Sequence, residues 1–475
     1  MSAGKTPLVT VYITSYNYGH FIEQAINSVL GQTLDDFELI IIDDGSTDNS
    51  RAVIERCLGH PKIIPVFQHN KGLNVTNNIA LRAARGRYIM RLDADDWLDS
   101  HALEVLSNVL ERNPCVGLVF PDYYLADLQG TVLEQVRRHD FDDVNLLDQP
   151  AHGACTMIRR SCLLEIGGYD ESFRCQDGYD LWIRFIEAFE VRNVNLPLFY
   201  YRQHGTSLTK NEDLILSTRA EIIRRHAVRH GQPLRVLAVI PVRGLKTDPS
   251  SAVFRQIGGK CLLDWTVDAA LGARLISQVV VTTPDPDVLT YVRSTWGDKV
   301  LAIARDLRLA IPNTYLSDTL RHALGVVEGG APAGSGAFEA VMQLAIESPF
   351  RASRHVDAAV EVMALFDTDV VVGVRAETDN LYSHDGNGLV PVRKTPGLRL
   401  EREDIYREVG SMRLIKRSLV MGENPSQPAR TGHVILDAKA AHLLRSEWDL
   451  ELAALIADKT GRDPMDGGVS MKVQT

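Results

Sequence analysis

Three carboxylates fall within four positions at Asp93-Ala-Asp95-Asp96, directly after the apolar run Tyr88-Ile-Met-Arg-Leu92. Like charges a few ångströms apart raise one another's pKa unless a cation lies among them, so the pattern points to a divalent metal. A hard cation held by one or two carboxylates, its shell completed by diphosphate oxygens, is a common way to activate a phosphate leaving group. By itself the same cluster serves equally as a solvated turn that caps a helix beginning near Leu98. A further carboxylate, Asp177, sits in Gln176-Asp177-Gly178. Alone, that triplet reads as a turn followed by an acidic residue in the first turn of a helix.

The elements that must position these groups begin at Leu8-Val-Thr-Val-Tyr-Ile-Thr14, a buried strand, with Ser15-Tyr16-Asn17-Tyr18-Gly19 as the turn after it. Phe21, Ala25, Ile26, Val29 and Leu30 recur at helical spacing, and Gly31 suits the helix end. Phe37 to Ile42 forms a second strand that closes on Asp43-Asp44-Gly45-Ser46. Strand, helix and strand around one core is a βαβ unit, whose ligands bind beyond the carboxyl ends of the strands. Thr14, Tyr16, Asp44, Asp93 and Asp95 all fall there, although each singly also suits a cap or a turn.

Residues from about Leu8 to Ser207 resemble an inverting family 2 glycosyltransferase with the GT-A fold, through Thr14-Ser-Tyr-Asn17, Asp43-Asp44-Gly-Ser and Asp93-Ala-Asp95-Asp96 in that order. The resemblance implies that Thr14, Tyr16, Asp44, Asn78 and Asp93 contact the donor nucleotide. It makes Asp93 and Asp95 the Asp-x-Asp metal motif, with Asp95 the direct ligand. Asn78 lies in Thr76-Asn-Asn78-Ile-Ala80, where the family usually has Ala-Arg-Asn-x-Gly, so one donor-site arginine is missing. The Gln176-Asp177 pair resembles the family's Glu/Gln-Asp motif ahead of an acceptor-site helix, which makes Asp177 the general base; Asp180 is expected to be structural. Such a base takes the proton of a sugar hydroxyl as the new bond forms. In Tyr200-Tyr-Arg-Gln-His204-Gly-Thr-Ser207, His204 resembles a histidine that completes the metal shell, although a lone histidine also suits a surface or core position. Its imidazole suits Mn2+ better than Mg2+.

After the breakers Gly231-Gln-Pro233 the chain starts again with a buried strand, Val236-Leu-Ala-Val-Ile240, a helix from Leu262 to Leu271 and a strand from Gln278 to Thr283. The expected domains are therefore 1–231 and 232–475. Ala238-Val-Ile-Pro-Val-Arg243-Gly-Leu-Lys246, Ile257-Gly-Gly-Lys260 and Glu347-Ser348-Pro-Phe-Arg351 resemble the acylneuraminate cytidylyltransferases. The family's phosphate-loop Lys-Asn falls on Ala252-Val253, its Gln on Ala345, and its metal-carrying aspartate pair on Leu443-Leu-Arg445-Ser446. An arginine in place of a metal-binding carboxylate reverses the local charge. The expectation is a domain inert toward CTP, in which Arg243, Lys246, Ser348 and Arg351 are candidate contacts for a nucleotide or an acidic sugar, surface lysine and arginine on a retained scaffold being the alternative. The resembled enzymes dimerise through an excursion whose counterpart here, roughly Glu377 to Glu408, contains the hairpin signal Asp385-Gly-Asn-Gly388. A two-fold homodimer through this domain is expected, with a hairpin lying on its own domain as the alternative.

At 475 residues, with 45% hydrophobic composition, the chain has enough apolar material for two cores. A net charge of −10 gives no electrostatic basis for binding nucleic acid and weighs against anionic lipid. No apolar run reaches the length of a membrane span, and the N-terminus lacks a signal-peptide core. Six cysteines without Cys-x-x-Cys spacing read as reduced thiols, and a cytoplasmic location is expected. The combined reading is an α/β protein of two tandem Rossmann-like nucleotide-diphospho-sugar transferase (GT-A type) domains. Its first domain would be a metal-dependent (Mn2+ or Mg2+) inverting glycosyltransferase moving a sugar from a nucleotide-sugar donor to a saccharide, lipid-linked or protein acceptor. A bifunctional enzyme that also makes a CMP-activated nonulosonic acid, and a non-catalytic nucleotide-sugar scaffold, are the rival readings.

Overall fold

The computed structural model describes residues 6–137, 153–173, 175–203, 212–230, 234–311, 315–330, 336–377, 379–392, 405–422 and 429–460, without the side chains of Asp177, Glu212, Asp213, His230 and Thr460. The chain divides into two compact units, Met1–Ile222 and Ile223–Thr475. The division falls inside the helix Glu212–His230.

In the first unit, β1 (Val9–Ser15), α1 (Ile22–Leu30), β2 (Phe37–Asp44), α2 (Ser50–Cys57), β3 (Ile63–Gln68), α3 (Leu73–Ala83) and β4 (Tyr88–Asp93) follow one another. The order β3-β2-β1-β4 is parallel throughout. Both faces of these strands are covered, which is why they read as unbroken apolar runs and not as alternating ones. On one face Val9, Val11, Ile13, Leu39, Ile41 and Met90 pack against α1 and α2. On the other, Tyr12, Ile40, Ile42 and Ile89 pack against Ala80 and Leu81 of α3 and against a later helix bearing Leu181, Trp182 and Phe185. Each such side chain contributes about 1.5–3 kcal/mol on burial.

The chain then forms β5 (Trp97–Leu98), α4 (Ala102–Arg112), β6 (Val116–Ala126), β7 (Val132–Val136), β8 (Met157–Arg159), α5 (Arg160–Glu165), α6 (Asp177–Ala188) and β9 (Glu190–Arg202). The helix expected from Leu98 starts at Ala102 instead, because Trp97 and Leu98 are taken into an antiparallel pairing with Tyr200 and Phe199 of β9. β8 runs antiparallel between β4 and β6, and β6 is parallel to β9. The strand order therefore reverses direction between β1 and β4, and the crevice outside their carboxyl ends is where such sheets place ligands.

The second unit holds a seven-stranded sheet among its described residues. In spatial order the strands are Val300–Ala304, Ile276–Thr283, Val236–Pro241, Ala340–Leu344, Tyr406–Lys416, Val370–Ala376 and Thr431–Ile435. Tyr406–Lys416 is antiparallel to both neighbours, and the other strands share one direction. As in the first unit, the four earliest strands lie in the order third, second, first, fourth. Tyr382–His384 and Leu389–Pro391 pair as a separate exposed hairpin across Asp385-Gly-Asn-Gly388.

The edge of the first sheet opposite the ligand crevice is closed by Glu38, a buried carboxylate that accepts from Thr10 Oγ1 and the Arg85 amide, each at 2.7 Å. Gly86 lies against it, its amide donating to Thr10 Oγ1 at 2.8 Å, and a Cβ at Gly86 would stand 2.4 Å from the Thr10 nitrogen. Backbone cannot yield cheaply there. Gly86→Ala is expected to lower the urea unfolding stability by about 1–3 kcal/mol; a wild-type midpoint would show that the two chain segments do not approach this closely.

Candidate functional site

Alternation along each strand places Thr14, Asp44 and Asp93 on one face of the sheet, at the carboxyl ends of β1, β2 and β4. Thr14 pairs with Asp93 in register, and its hydroxyl lies 3.4 Å from Asp93 Oδ1. These two residues flank the point where the strand order reverses. The same alternation puts Arg91 on this face, beneath Asp93, with its Nε 3.0 Å from Asp93 Oδ1. Gly153 makes room for the guanidinium, since a Cβ there would stand 2.3 Å from Arg91 Nη2. A cavity of about 30 Å³ beside Arg91, lined also by Tyr12, Thr156, Tyr169 and Trp182, has room for a water and not for a sugar.

Asp93 to Asp96 form a tight turn closed by the Asp96 amide on the Asp93 carbonyl at 3.1 Å. The Tyr18 hydroxyl hydrogen-bonds the Asp95 side chain; burial, and then the charges of Asp95, Asp93 and Asp96, push that hydroxyl well above the ordinary tyrosine range. Asp96 is only 1% exposed. Burial first, and the charges of Asp95 and Asp93 next, raise its carboxyl well above the usual carboxylate range. One of its oxygens accepts from the Arg202 amide at 3.0 Å, and the other is buried with no hydrogen-bond partner among the described residues. Among those residues no group of three or more His, Cys, Asp or Glu is arranged to hold a metal. A hard cation at Asp93 and Asp95 would take one or two protein oxygens and complete its shell from a ligand.

The loops after β1 and β2 are joined by the polar residues of their own motifs. Asn17, at φ +63°, accepts from the Thr47 amide at 2.7 Å, its amide donates to Ser46 Oγ, and the Gly19 amide donates to Asp48. Tyr16 remains about half exposed beside them. Asp44 is buried and accepts from Gln68 Nε2 at 2.7 Å and from the Lys71 and Gly72 amides at 2.9 and 3.0 Å, so it shapes the turn into α3. Asn78 does not join this edge. Its amide is bonded to both backbone groups of Tyr169, at 2.8 and 2.9 Å, and to Glu171. Asn74, one helical turn earlier, donates to the Asp170 and Phe173 carbonyls. The two asparagines thus hold the segment that leads to α6.

Asp177 is the first residue of α6, and Gln176 before it has left-handed backbone (φ +59°), a conformation that costs a non-glycine residue roughly 1–2 kcal/mol. Asp180 is buried and paired with Arg184 at 2.7 Å, the structural role expected of it. His204 lies outside the described residues. Arg91, Arg202 and Tyr18 escaped the sequence reading. A charged residue inside each of the apolar runs Tyr88–Leu92 and Phe199–Arg202 was the available signal.

In the second unit, Arg351 is buried and its terminal nitrogens donate to the carbonyls of Ala345, Gly410 and Ser411, with Gly410 at 2.5 Å. Ser348 is buried against Ser411 at 3.1 Å. Arg351 therefore acts as an internal brace for the backbone carbonyls around Ser411, and Ser348 is bonded to the Ser411 hydroxyl. Lys246 is exposed and paired with Asp287 at 2.7 Å, while its amide donates to Asp285. Arg243 is partly exposed, 3.6 Å from Asp248.

No helix among the described residues is long and apolar enough to cross a membrane. Residues 10–167 match the profile of Glycosyl transferase family 2. Over 215 residues the chain is 42% identical to an uncharacterized glycosyltransferase of Nostoc sp., a match covering 42% of this chain and 66% of that protein. It is 29% identical over 212 residues to the chondroitin synthase of Escherichia coli, covering 43% of this chain and 31% of that one. The matched part thus spans less than two thirds of either relative. The solved structure of S. aureus TarS 1-349 in complex with UDP-GlcNAc overlaps 46% of this chain and 65% of that chain at TM-score 0.39 and 16% identity, too slight a likeness to bear on function. With its parallel β3-β2-β1-β4 sheet and its Asp-rich turn at the point of reversal, the N-terminal unit contains a family 2 glycosyltransferase domain.

Proposed function

We propose that the first unit is a metal-dependent inverting glycosyltransferase. The observation that carries this reading is the Thr14–Asp93 contact beside the Asp95-Asp96 turn, at the sheet reversal of a family 2 domain. Thr14, Tyr16, Asp44 and Asp93 would line the donor's nucleotide; Asn78 supports the site from behind through Tyr169. Asp93 and Asp95, with His204, would hold Mn2+ or Mg2+, which supplies positive charge to a departing nucleotide diphosphate. Asp177 takes the proton of the acceptor hydroxyl, whose oxygen bonds to the anomeric carbon from the face opposite the diphosphate. The anomeric carbon–oxygen bond breaks, and its electron pair leaves with the phosphate oxygen. The strained Gln176 immediately before Asp177 supports this assignment, since such strain gathers at functional positions. The donor is a nucleotide sugar and the acceptor a saccharide, lipid-linked or protein hydroxyl, in a cytoplasmic protein.

The second unit, 232–475 in this reading, is a cytidylyltransferase-like, GT-A-type domain without CTP chemistry that serves binding and dimerisation. Its hairpin exposes Tyr382, Leu389, Val390 and Val392, apolar side chains that a two-fold partner would cover.

Replacement of Asp177 by Asn is expected to lower transfer by about 10²–10⁴-fold with donor binding preserved, because the amide keeps the shape and cannot accept a proton. Turnover near that of the wild type would remove Asp177 from the role of base. In calorimetric titrations with nucleotide diphosphates, Asp95→Ala should weaken binding only when Mn2+ is present, whereas Asp44→Ala should weaken it with or without metal. Equal metal dependence in the two variants would contradict the assignment. Light scattering is expected to find a dimer for the full chain, and Leu389→Asp with Val390→Asp should shift it to monomer; a monomeric wild type would dismiss the interface.

A further inference from the structure

Arg202 is the last residue of β9, carries a charge and is 4% exposed. Burying a guanidinium costs several kcal/mol unless its donors are met, so its partners show what it holds. Nε donates to the Asp95 carbonyl at 2.9 Å, Nη1 to the Leu128 carbonyl at 2.8 Å and Nη2 to Gln24 Oε1 on α1 at 2.6 Å. Its backbone amide holds Asp96 at 3.0 Å. The guanidinium lies between the Phe21 and Trp97 rings, 4.5 Å from each centroid, and Trp97 in turn stacks on Tyr200. Burial lowers its pKa, against the opposing charges of Asp96, Asp95 and Asp127. Among the described residues these side-chain hydrogen bonds go to neutral oxygens, so the charge stands behind the acidic turn, on its carbonyl side, with no carboxylate among them in a direct pair.

We infer that Arg202 is a positioning residue for the cation: its fork fixes the Asp93–Asp96 turn with the carboxylates already gathered, before any metal arrives. A lysine cannot do this, because a single ammonium cannot reach three acceptors in one plane. The inference rests on the metal reading proposed above and goes beyond it by assigning the preorganisation to a residue that touches no cation.

Titration of the full-length protein with Mn2+ alone, followed by the EPR signal of the free ion, tests it. Arg202→Lys and Arg202→Met are each expected to bind Mn2+ about 10–100-fold more weakly than wild type. The gain in Tm on adding Mn2+ should shrink correspondingly, whereas a purely structural role would lower Tm equally with and without the ion. If Arg202→Met fails to fold, Gln24→Ala, which unties one arm of the fork and leaves the charge in place, should still weaken Mn2+ binding several-fold. Wild-type affinity in Arg202→Lys or in Gln24→Ala overturns the inference alone. A wild-type protein that binds no Mn2+, either alone or with a nucleotide diphosphate present, overturns the metal reading, and this inference with it.

Discussion

Repulsion among three carboxylates on one tight turn is the constraint around which the first unit is arranged. Asp93, Asp95 and Asp96 cannot share so small a volume without cost; burial first, and then the charges of Asp95 and Asp93, raise the Asp96 pKa. The fold answers from two sides. Arg91 meets Asp93 from within the sheet, and Arg202 holds the turn from its carbonyl side. Both arginines come from strands, so the electrostatic support of the turn is as rigid as the sheet itself. What remains at the open edge is negative potential bounded by Thr14 and Tyr18, the environment a cation and a diphosphate would complete together.

Much of the polar chemistry in the motifs is taken up by holding loops. Asn17, Ser46, Asp48 and Ser50 join the turns after β1 and β2, and Asp44 caps the entry to α3. Asn74 and Asn78 restrain the chain that delivers Asp177. A buried donor or acceptor left unpaired costs about 1–3 kcal/mol, so these residues are under structural demand whatever they do for a substrate. Three acceptor positions of Asp44 are occupied, two on one oxygen and one on the other.

The second unit repeats the opening strand order of the first with a different distribution of charge. Where the first unit gathers carboxylates at the reversal, the second has Arg243 after the strand Val236–Pro241, and the Lys246 amide donates to Asp285. Arg351, one of the most basic-looking features of the sequence, is an internal brace for carbonyls around Ser411, a residue with positive φ. The same opening strand order thus carries a carboxylate cluster in one unit and, in the other, cations paired with nearby aspartates.

Many strands and helices were legible because apolar periodicity is a local property: β1, α1 and β2 in the first unit and the hairpin around Asp385 in the second lie where their residues alone place them. The Asp93–Asp96 cluster was legible for the same reason, its members being neighbours in the chain. The helix start expected at Leu98 moved to Ala102 because pairing with β9, a hundred residues away, outweighs local preference. Asn78 was read as a ligand contact and Arg351 as an open cation, since a polar side chain shows its chemistry in the sequence but not its partner. Partners are chosen by tertiary contact. By itself, then, the sequence determined the βα order and which residues could do chemistry, whereas only the folded chain decided which of them face the crevice and which, like Asn78 and Arg351, are held by distant backbone that would otherwise be buried unpaired.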